Sequence, residues 1–362
     1  MELQIWMGRA GAGKSRRVLE TMQERRQRPQ ILLVPEHASH EAELDLCRAL
    51  GPTASRDAEV LSFRNLATRV LAQTGGLADV TLDAGGKLLT MRRALQEVSS
   101  RLTVFARPSQ RPAFLRQLVA LADELYAYQV TPEMLLAQVA DMEGAAGDKL
   151  RSAALIYGAY DAHLRGEGFD ARSRVQKLCD ALPESDYLMG KDVYVDGFSY
   201  FNRVEEDILE TALRQGNCLT VTLLGDESDP QLFQNALRQR DRLKRMAALV
   251  HARCEVETLV SKNDGPLGYL ERCFFDGEEP WQGEEPPIRL YQAETAFSEA
   301  EYVSACVRRL ARQGCRWRDI GVAARNMEVY GPLLEAVFRR DGIPAYISRR
   351  SDILEKPVLT MV

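Results

Sequence analysis

The chain has 362 residues, 45% apolar and 27% charged, enough hydrophobic material for two or three packed domains and too much for a disordered chain. Its 47 basic and 52 acidic side chains leave a formal charge of −5, which excludes a protein that coats nucleic acid over its whole surface but allows a local basic groove. There is no run of eighteen apolar residues and no signal-peptide core, and the seven cysteines are scattered without a C-x-x-C pair, so a cytoplasmic protein with reduced thiols and no membrane partner is expected.

The first element lies in "MELQIWMGRAGAGKSRRVLE". Leu3, Ile5 and Trp6 predict a short buried strand, and Gly8 to Ser15 spell G-x-x-x-x-G-K-S before a helix beginning near Arg16. Gly8, Gly11 and Gly13, with Ala12 between them, let the backbone wrap an anion so that successive N–H groups and the helix N-terminus point at phosphate oxygens. Lys14 would reach the β and γ phosphates of ATP, and the Ser15 hydroxyl would take one position on Mg²⁺. The bland alternative is a glycine-rich turn with a chance lysine.

Ile31 to Val34 predict a fully buried strand, followed by the "PEHASH" loop and a helix from about Ser39; "AEVLSFRNLATRVL" repeats the pattern with a strand near Val60. From Leu82 to about Leu164 the apolar residues fall at helical spacing, with Pro112 and Pro132 near helix starts, as in a helical subdomain inserted into an α/β domain. Strands resume at "DVYVDGFSYF", "CLTVTLLGDESDP" and "CEVETLV". "DGEEPWQGEEPP" marks a boundary, beyond which "IRLYQAET", a helix from about Ser298, "IGVAARN", another helix and "GIPAYIS" predict a second α/β unit, truncated at Val362.

A P-loop ATPase needs a second acidic element at a strand end: an Asp that holds Mg²⁺ through water, and a Glu that deprotonates the attacking water. Asp196 in "VYVDGF" fits the first role and equally fits a turn aspartate; the next residue is Gly197, which cannot accept a proton. No catalytic residue is assigned.

The P-loop near the N-terminus, "VPEHASHEAEL", "VDGFSYF", "LLGDESDP" and "VAARNMEVYGPLLEAVFRRDGIPAYI" stand in the order found in the helicase-like half of the AddB family, and the arrangement resembles that family over essentially the whole chain. AddB proteins are the B subunits of the bacterial AddAB (RexAB) ATP-dependent helicase/deoxyribonucleases. The resemblance implies a superfamily 1 helicase-like P-loop NTPase fold with a RecA-like parallel sheet. Residues 1–80 and 170–275 would form domain 1A, 81–169 the inserted helical subdomain 1B, and 286–362 the start of a second RecA-like domain, 2A.

By the same resemblance, His37 and Ser39 would face single-stranded DNA, Gly225 and Asp226 would begin the motif that couples nucleotide to DNA, and Arg325 would meet the γ-phosphate. Asp229 stands where helicases carry the coupling glutamine, and the adenine-reading glutamine motif is missing because only seven residues precede Gly8. These departures imply a pocket that binds ATP and Mg²⁺ but turns ATP over weakly or not at all. The family further implies an AddA-like partner that supplies the motor, double-stranded DNA ends and single strands as substrates, and scanning for the Chi recombination sequence in break repair. A nuclease domain with an iron–sulfur cluster on four cysteines would lie beyond this chain, so none of the seven cysteines here is assigned to it.

DNA contact is expected first at "SFRN", with Ser62, Phe63, Arg64 and Asn65 at a strand end. Other candidates are Arg92 and Arg93, the aromatic residues Tyr200 and Phe201, and the run "RQRDRLKRM" with Arg238, Arg240, Arg242, Lys244 and Arg245. That run also reads as an ordinary solvated helix face because Asp241 interrupts it. Two other functions stay open: a small-molecule kinase using the helical insertion as a lid, and a structural scaffold with a vestigial P-loop.

Overall fold

A computed structural model describes residues 1–51, 53–76, 82–102, 104–105, 112–139, 142–166, 174–260, 265–274, 280–283 and 288–347. The chain divides into two compact units, Met1–Gly268 and Tyr269–Val362. The acidic, Gly- and Pro-rich stretch expected as a boundary lies mostly outside the described residues.

The first unit opens with β1 (Glu2–Gly8), α1 (Lys14–Glu24), β2 (Gln30–Leu33), α2 (Ser39–Leu50), α3 (Ala54–Asp57), β3 (Ala58–Leu61) and α4 (Phe63–Thr74). The helical layer follows, with α5 (Ala84–Val98), α6 (Pro112–Ala127), α7 (Pro132–Val139), α8 (Gly144–Gly166) and α9 (Arg174–Ala181). The remainder is β4 (Asp192–Val195), α10 (Arg203–Gln215), β5 (Cys218–Leu224), α11 (Gln234–Leu249), β6 (Arg253–Leu259) and α12 (Pro266–Cys273), in which the division falls. The six strands form one parallel sheet in the order β3-β2-β4-β5-β1-β6, an α/β architecture of the helicase-like, RecA-like type.

Strand periodicity sorts the core into two layers. Leu3, Ile5 and Met7 of β1, Ile31 and Leu33 of β2, Val193 and Val195 of β4, and Leu219, Val221 and Leu223 of β5 join one core with residues of α4, α9, α10 and α11. Trp6, Leu32, Val34 and Tyr194 point the other way and pack with Val18 and Met22 of α1 and Leu46 and Leu50 of α2. On β5 the residues of that second face are Thr220 and Thr222, buried hydroxyls that donate to Gln4 Oε1 and to the Asp196 carboxylate. The edge strand β6 carries Arg253, Glu255 and Glu257, charges suited to a strand with one unpaired side.

Helices α5, α6 and α8 bury a core of their own, with Met91, Leu95, Leu118, Ile156, Tyr157 and Tyr160 at its centre. Pro112 and Pro132 open α6 and α7, where a missing N–H leaves no intrahelical bond unmade. Gln129 beyond α6 donates to Asp207 of α10 at 3.3 Å, which ties this layer to the sheet's own helices.

In the second unit α13 (Ala296–Arg312) and α14 (Met327–Arg340) pack through Val307, Leu334, Val337 and Phe338. Helix α13 starts at a capping box between Thr295 and Ser298, and Asn326 caps α14. The strand expected at "IGVAARN" does not form: residues 320–325 carry no ladder, nor do 288–294 and 343–347. A parallel strand exists only when a neighbour accepts its hydrogen bonds, and apolar alternation alone does not supply one.

No helix among the described residues is long and apolar enough to cross a membrane.

Candidate nucleotide and nucleic-acid site

All six strands are parallel, so the loops after β1, β2, β3, β4 and β5 share one edge of the sheet, the edge where open α/β sheets bind ligands. The loop after β1 is the G-x-x-x-x-G-K-S segment. A Cβ at Gly8 would lie 2.8 Å from the Leu259 carbonyl oxygen, so only glycine lets β1 and β6 end side by side there. Gly13 is left-handed (φ 86°) immediately before α1, which starts the helix at Lys14 rather than near Arg16. No side chain caps that N-terminus, so its first N–H groups stay available to an anion. The Lys14 ammonium donates to the carbonyls of Gly8 at 2.7 Å and Arg9 at 2.9 Å, curled over the loop, and Ser15 is exposed.

Arg9, at one of the motif's unspecified positions, organises the neighbouring loop, a role that nothing in the local sequence signals. Its Nε donates to Asp226 Oδ2 at 2.8 Å, its terminal nitrogen reaches Ser228 Oγ at 3.4 Å, and its guanidinium lies 5.2 Å from the centre of the Phe233 ring. Burial opposes ionisation of Asp226, but the Ser228 N–H and Arg9 outweigh it and hold the carboxyl below the ordinary aspartate value. Asp229, in the place of the coupling glutamine, accepts the Leu232 N–H at 3.0 Å and closes the turn leading to α11.

Asp196 follows β4, one strand removed from β1 with β5 between. It is half-buried, its N–H donates to the Leu33 carbonyl, and its carboxylate accepts from Thr222. Gly197 has φ 81°, and a Cβ there would sit 3.4 Å from Pro35 Cδ. The position where a catalytic glutamate would stand is therefore held in a backbone conformation that disfavours any side chain. The two nearby glutamates that could substitute are engaged elsewhere. Glu205 accepts the Asn202 N–H at 2.9 Å in the capping box of α10, and Glu227 is paired with Arg240. Among the described residues no three His, Cys, Asp or Glu side chains cluster as a metal site.

The loops after β2 and β3 bring the other candidates together. His37 is exposed, Ser39 is half-buried with an Oγ that lacks a partner, and Arg64 pairs with Glu36 at 3.0 Å across the two loops. Asn65 is exposed. Ser62 and Phe63 depart from expectation. Ser62 is buried and spends its hydroxyl on the Asn65 N–H as the N-cap of α4, while Phe63 is 5% exposed and packs edge-on against Phe198 with ring centres 5.3 Å apart. An aromatic ring at the head of a helix that faces the core completes the core, so these two residues shape the loop and offer no face to a base.

Tyr200 is 67% exposed, whereas Phe201 is buried and stacks near Phe198. The run "RQRDRLKRM" is split by its helix: Arg240 turns inward to Glu227 and Asp241, and Arg238, Arg242 and Arg245 line a groove beside Tyr200. Arg92 and Arg93 are exposed on α5. Arg325 belongs to the second unit, exposed just before the Asn326 cap of α14.

Comparison with known proteins places these features in a family. The family model described as ADDB, N-terminal, matches residues 5–270. The B subunit of the ATP-dependent helicase/deoxyribonuclease of Desulforudis audaxviator is 32% identical over 388 residues, covering 100% of this chain and 33% of the relative. The B subunits of the same name from Moorella thermoacetica and Desulforamulus reducens are 31% and 29% identical, each covering 100% of this chain, with 34% and 33% of the relatives' lengths. The chain thus spans about a third of the curated relatives it matches. With the family model covering well over half of its residues, this chain belongs to the AddB family and corresponds to that family's N-terminal region.

Proposed function

We propose that this chain is the nucleotide- and DNA-binding, helicase-like region of the B subunit of an ATP-dependent helicase/deoxyribonuclease, and that its own pocket binds Mg-ATP with little turnover. The observation that carries the second half is the left-handed Gly197 directly after Asp196, with Glu205 bonded to the Asn202 N–H and Glu227 paired with Arg240. A site that retains phosphate donors but carries glycine where a proton-accepting glutamate would stand binds better than it hydrolyses.

In this reading the backbone N–H groups of Gly11, Ala12 and Gly13 and the start of α1 hold the phosphates, Lys14 leaves its carbonyl partners for them, and Ser15 and Asp196 hold the metal. Mg²⁺ would neutralise phosphate charge when bound. Residues 1–80 and 170–275 would act as domain 1A, 81–169 as 1B, and 286–362 as part of 2A. His37, Ser39, Arg64 and Asn65 would touch single-stranded DNA being scanned for Chi, while an AddA-like partner drives translocation in break repair. The relatives' names support the ATP dependence, the nuclease association and the assembly from more than one kind of chain.

The test is Mg-ATP binding followed by phosphate release in the same sample, with and without single-stranded DNA. Binding with negligible DNA-stimulated release supports the proposal; robust DNA-stimulated release overturns it.

A further inference from the structure

Between α10, α11 and the end of α6 lies a groove of about 940 Å³, lined by Tyr128, Tyr200, Arg203, Arg238, Arg242 and Arg245 among others. Its floor is electrically settled. Glu206 accepts from Gln239 at 3.0 Å and Arg242 at 3.2 Å, Asp207 pairs with Arg203 at 3.1 Å, and Glu210 pairs with Arg214 at 2.8 Å. Arg238 and Arg245 are left over: both are exposed and carry no ion pair among the described residues. They stand seven residues apart, two turns or roughly 10.5 Å along one face of α11.

The same groove presents two exposed rings, Tyr200 at 67% and Tyr128 at 50%. Surplus arginines with exposed aromatic faces suit a flexible polyanion with stackable bases, because each arginine releases a counterion and every base has a face to stack. Phe201, which lines the groove, links it to the loops already described. The rings of Phe63, Phe198 and Phe201, the first and last buried and the middle one half-buried, follow one another with centres 5.3 Å apart at each step and join the residue after Tyr200 to the Ser62–Asn65 turn.

We infer that the α10–α11 groove is a second binding surface for single-stranded nucleic acid, which takes a strand leaving the His37 and Arg64 loops over Tyr200 and holds its phosphates with Arg238 and Arg245. This rests on the DNA-binding reading above and adds a site to it. The helical layer then contributes to DNA binding through Tyr128.

The experiment measures anisotropy of labelled thymidine oligonucleotides of about 6 and about 16 nucleotides, a range that brackets common single-strand site sizes, on the 362-residue chain over a salt series. Arg238→Gln with Arg245→Gln should lower the slope of log K against log salt by about 1.4 for the long oligonucleotide, at about 0.7 per phosphate contact, and leave the short one unchanged. Tyr200→Ala should weaken the long oligonucleotide about tenfold, and Tyr200→Phe should restore it, since stacking needs the ring and not the hydroxyl. Unfolding curves matching wild type show that these exposed changes act locally. If both lengths bind the arginine variant like wild type while Arg64→Gln weakens both, the groove assignment fails and the DNA-binding reading survives. If wild type binds neither length, both fail. If the arginine changes spare DNA but weaken assembly with a partner protein, the groove is a protein surface and the inference is overturned.

Discussion

Arg9 and Asp226, 217 residues apart, meet through a 2.8 Å Nε–Oδ2 bond at the ends of the adjacent strands β1 and β5. The bond fastens the phosphate-binding loop to the segment that leads into α11, and Phe233 backs it with its ring.

Arg9→Ala should therefore destabilise the fold by about 1–2 kcal/mol, the range for a charge-assisted hydrogen bond that is partly shielded. It should also return the Asp226 carboxyl toward its ordinary value. Because the folded carboxyl sits below the unfolded one, the stability that the pair supplies is complete above about pH 4 and is lost as pH falls through the lowered folded value. Urea unfolding across that range, with NMR titration of the Asp226 carboxyl, reads both effects; an unchanged titration in Arg9→Ala would refute the assignment.

Gly197→Glu should not create an ATPase. The substitution puts an L-residue into the left-handed region at a cost of about 1–2 kcal/mol, with its Cβ against Pro35. Lower thermal stability with phosphate release still at background is the expected result, and Gly197→Ala should show the same loss of stability. A glutamate variant as stable as wild type and active would mean that the loop can flip.

Glu205 is the opposite case to Asp226. Burial raises its carboxyl above the ordinary glutamate value, and the Asn202 N–H only partly opposes this. Its ionisation therefore counts against the folded state, a penalty absent below about pH 4 and present in full once pH has risen through the folded value. Glu205→Gln keeps an acceptor in the capping box and removes the penalty, so it should match or exceed wild type at pH 7, with the gap closing in acid. Glu205→Ala should lose about 1 kcal/mol. A glutamine variant clearly weaker than wild type at pH 7 would count against this account.

Lys14→Ala removes two bonds to carbonyls that water can satisfy, so the melting temperature without nucleotide should move little. The thermal shift on adding Mg-ATP should vanish; a ligand at about a hundred times its dissociation constant adds about 2.7 kcal/mol to the folded state. A variant that keeps the full shift would place the nucleotide elsewhere.

Much of this was legible in the chain itself. Glycines at fixed spacing before Lys14 and Ser15, continuous apolar runs such as Ile31 to Val34, and prolines at helix starts are local rules, and local rules can be read from local sequence. The predicted strand that failed, in residues 320–325, shows where such rules stop: a strand is defined by its neighbour. Phe63 failed for a related reason, since the same ring stacks on a base or fills a core according to the side of α4 it occupies.

Local chemistry along the chain was enough for the α/β class, the G-x-x-x-x-G-K-S pattern and the glycine that follows Asp196. Three relationships needed the folded molecule: Gly197 left-handed beside Pro35, Arg9 held by Asp226, and Arg238, Arg245, Tyr200 and Tyr128 gathered around one groove. Each joins residues distant in the chain: the pairing of β2 with β4 and of β1 with β5 brings the first two together, and the packing of helices on the sheet gathers the third.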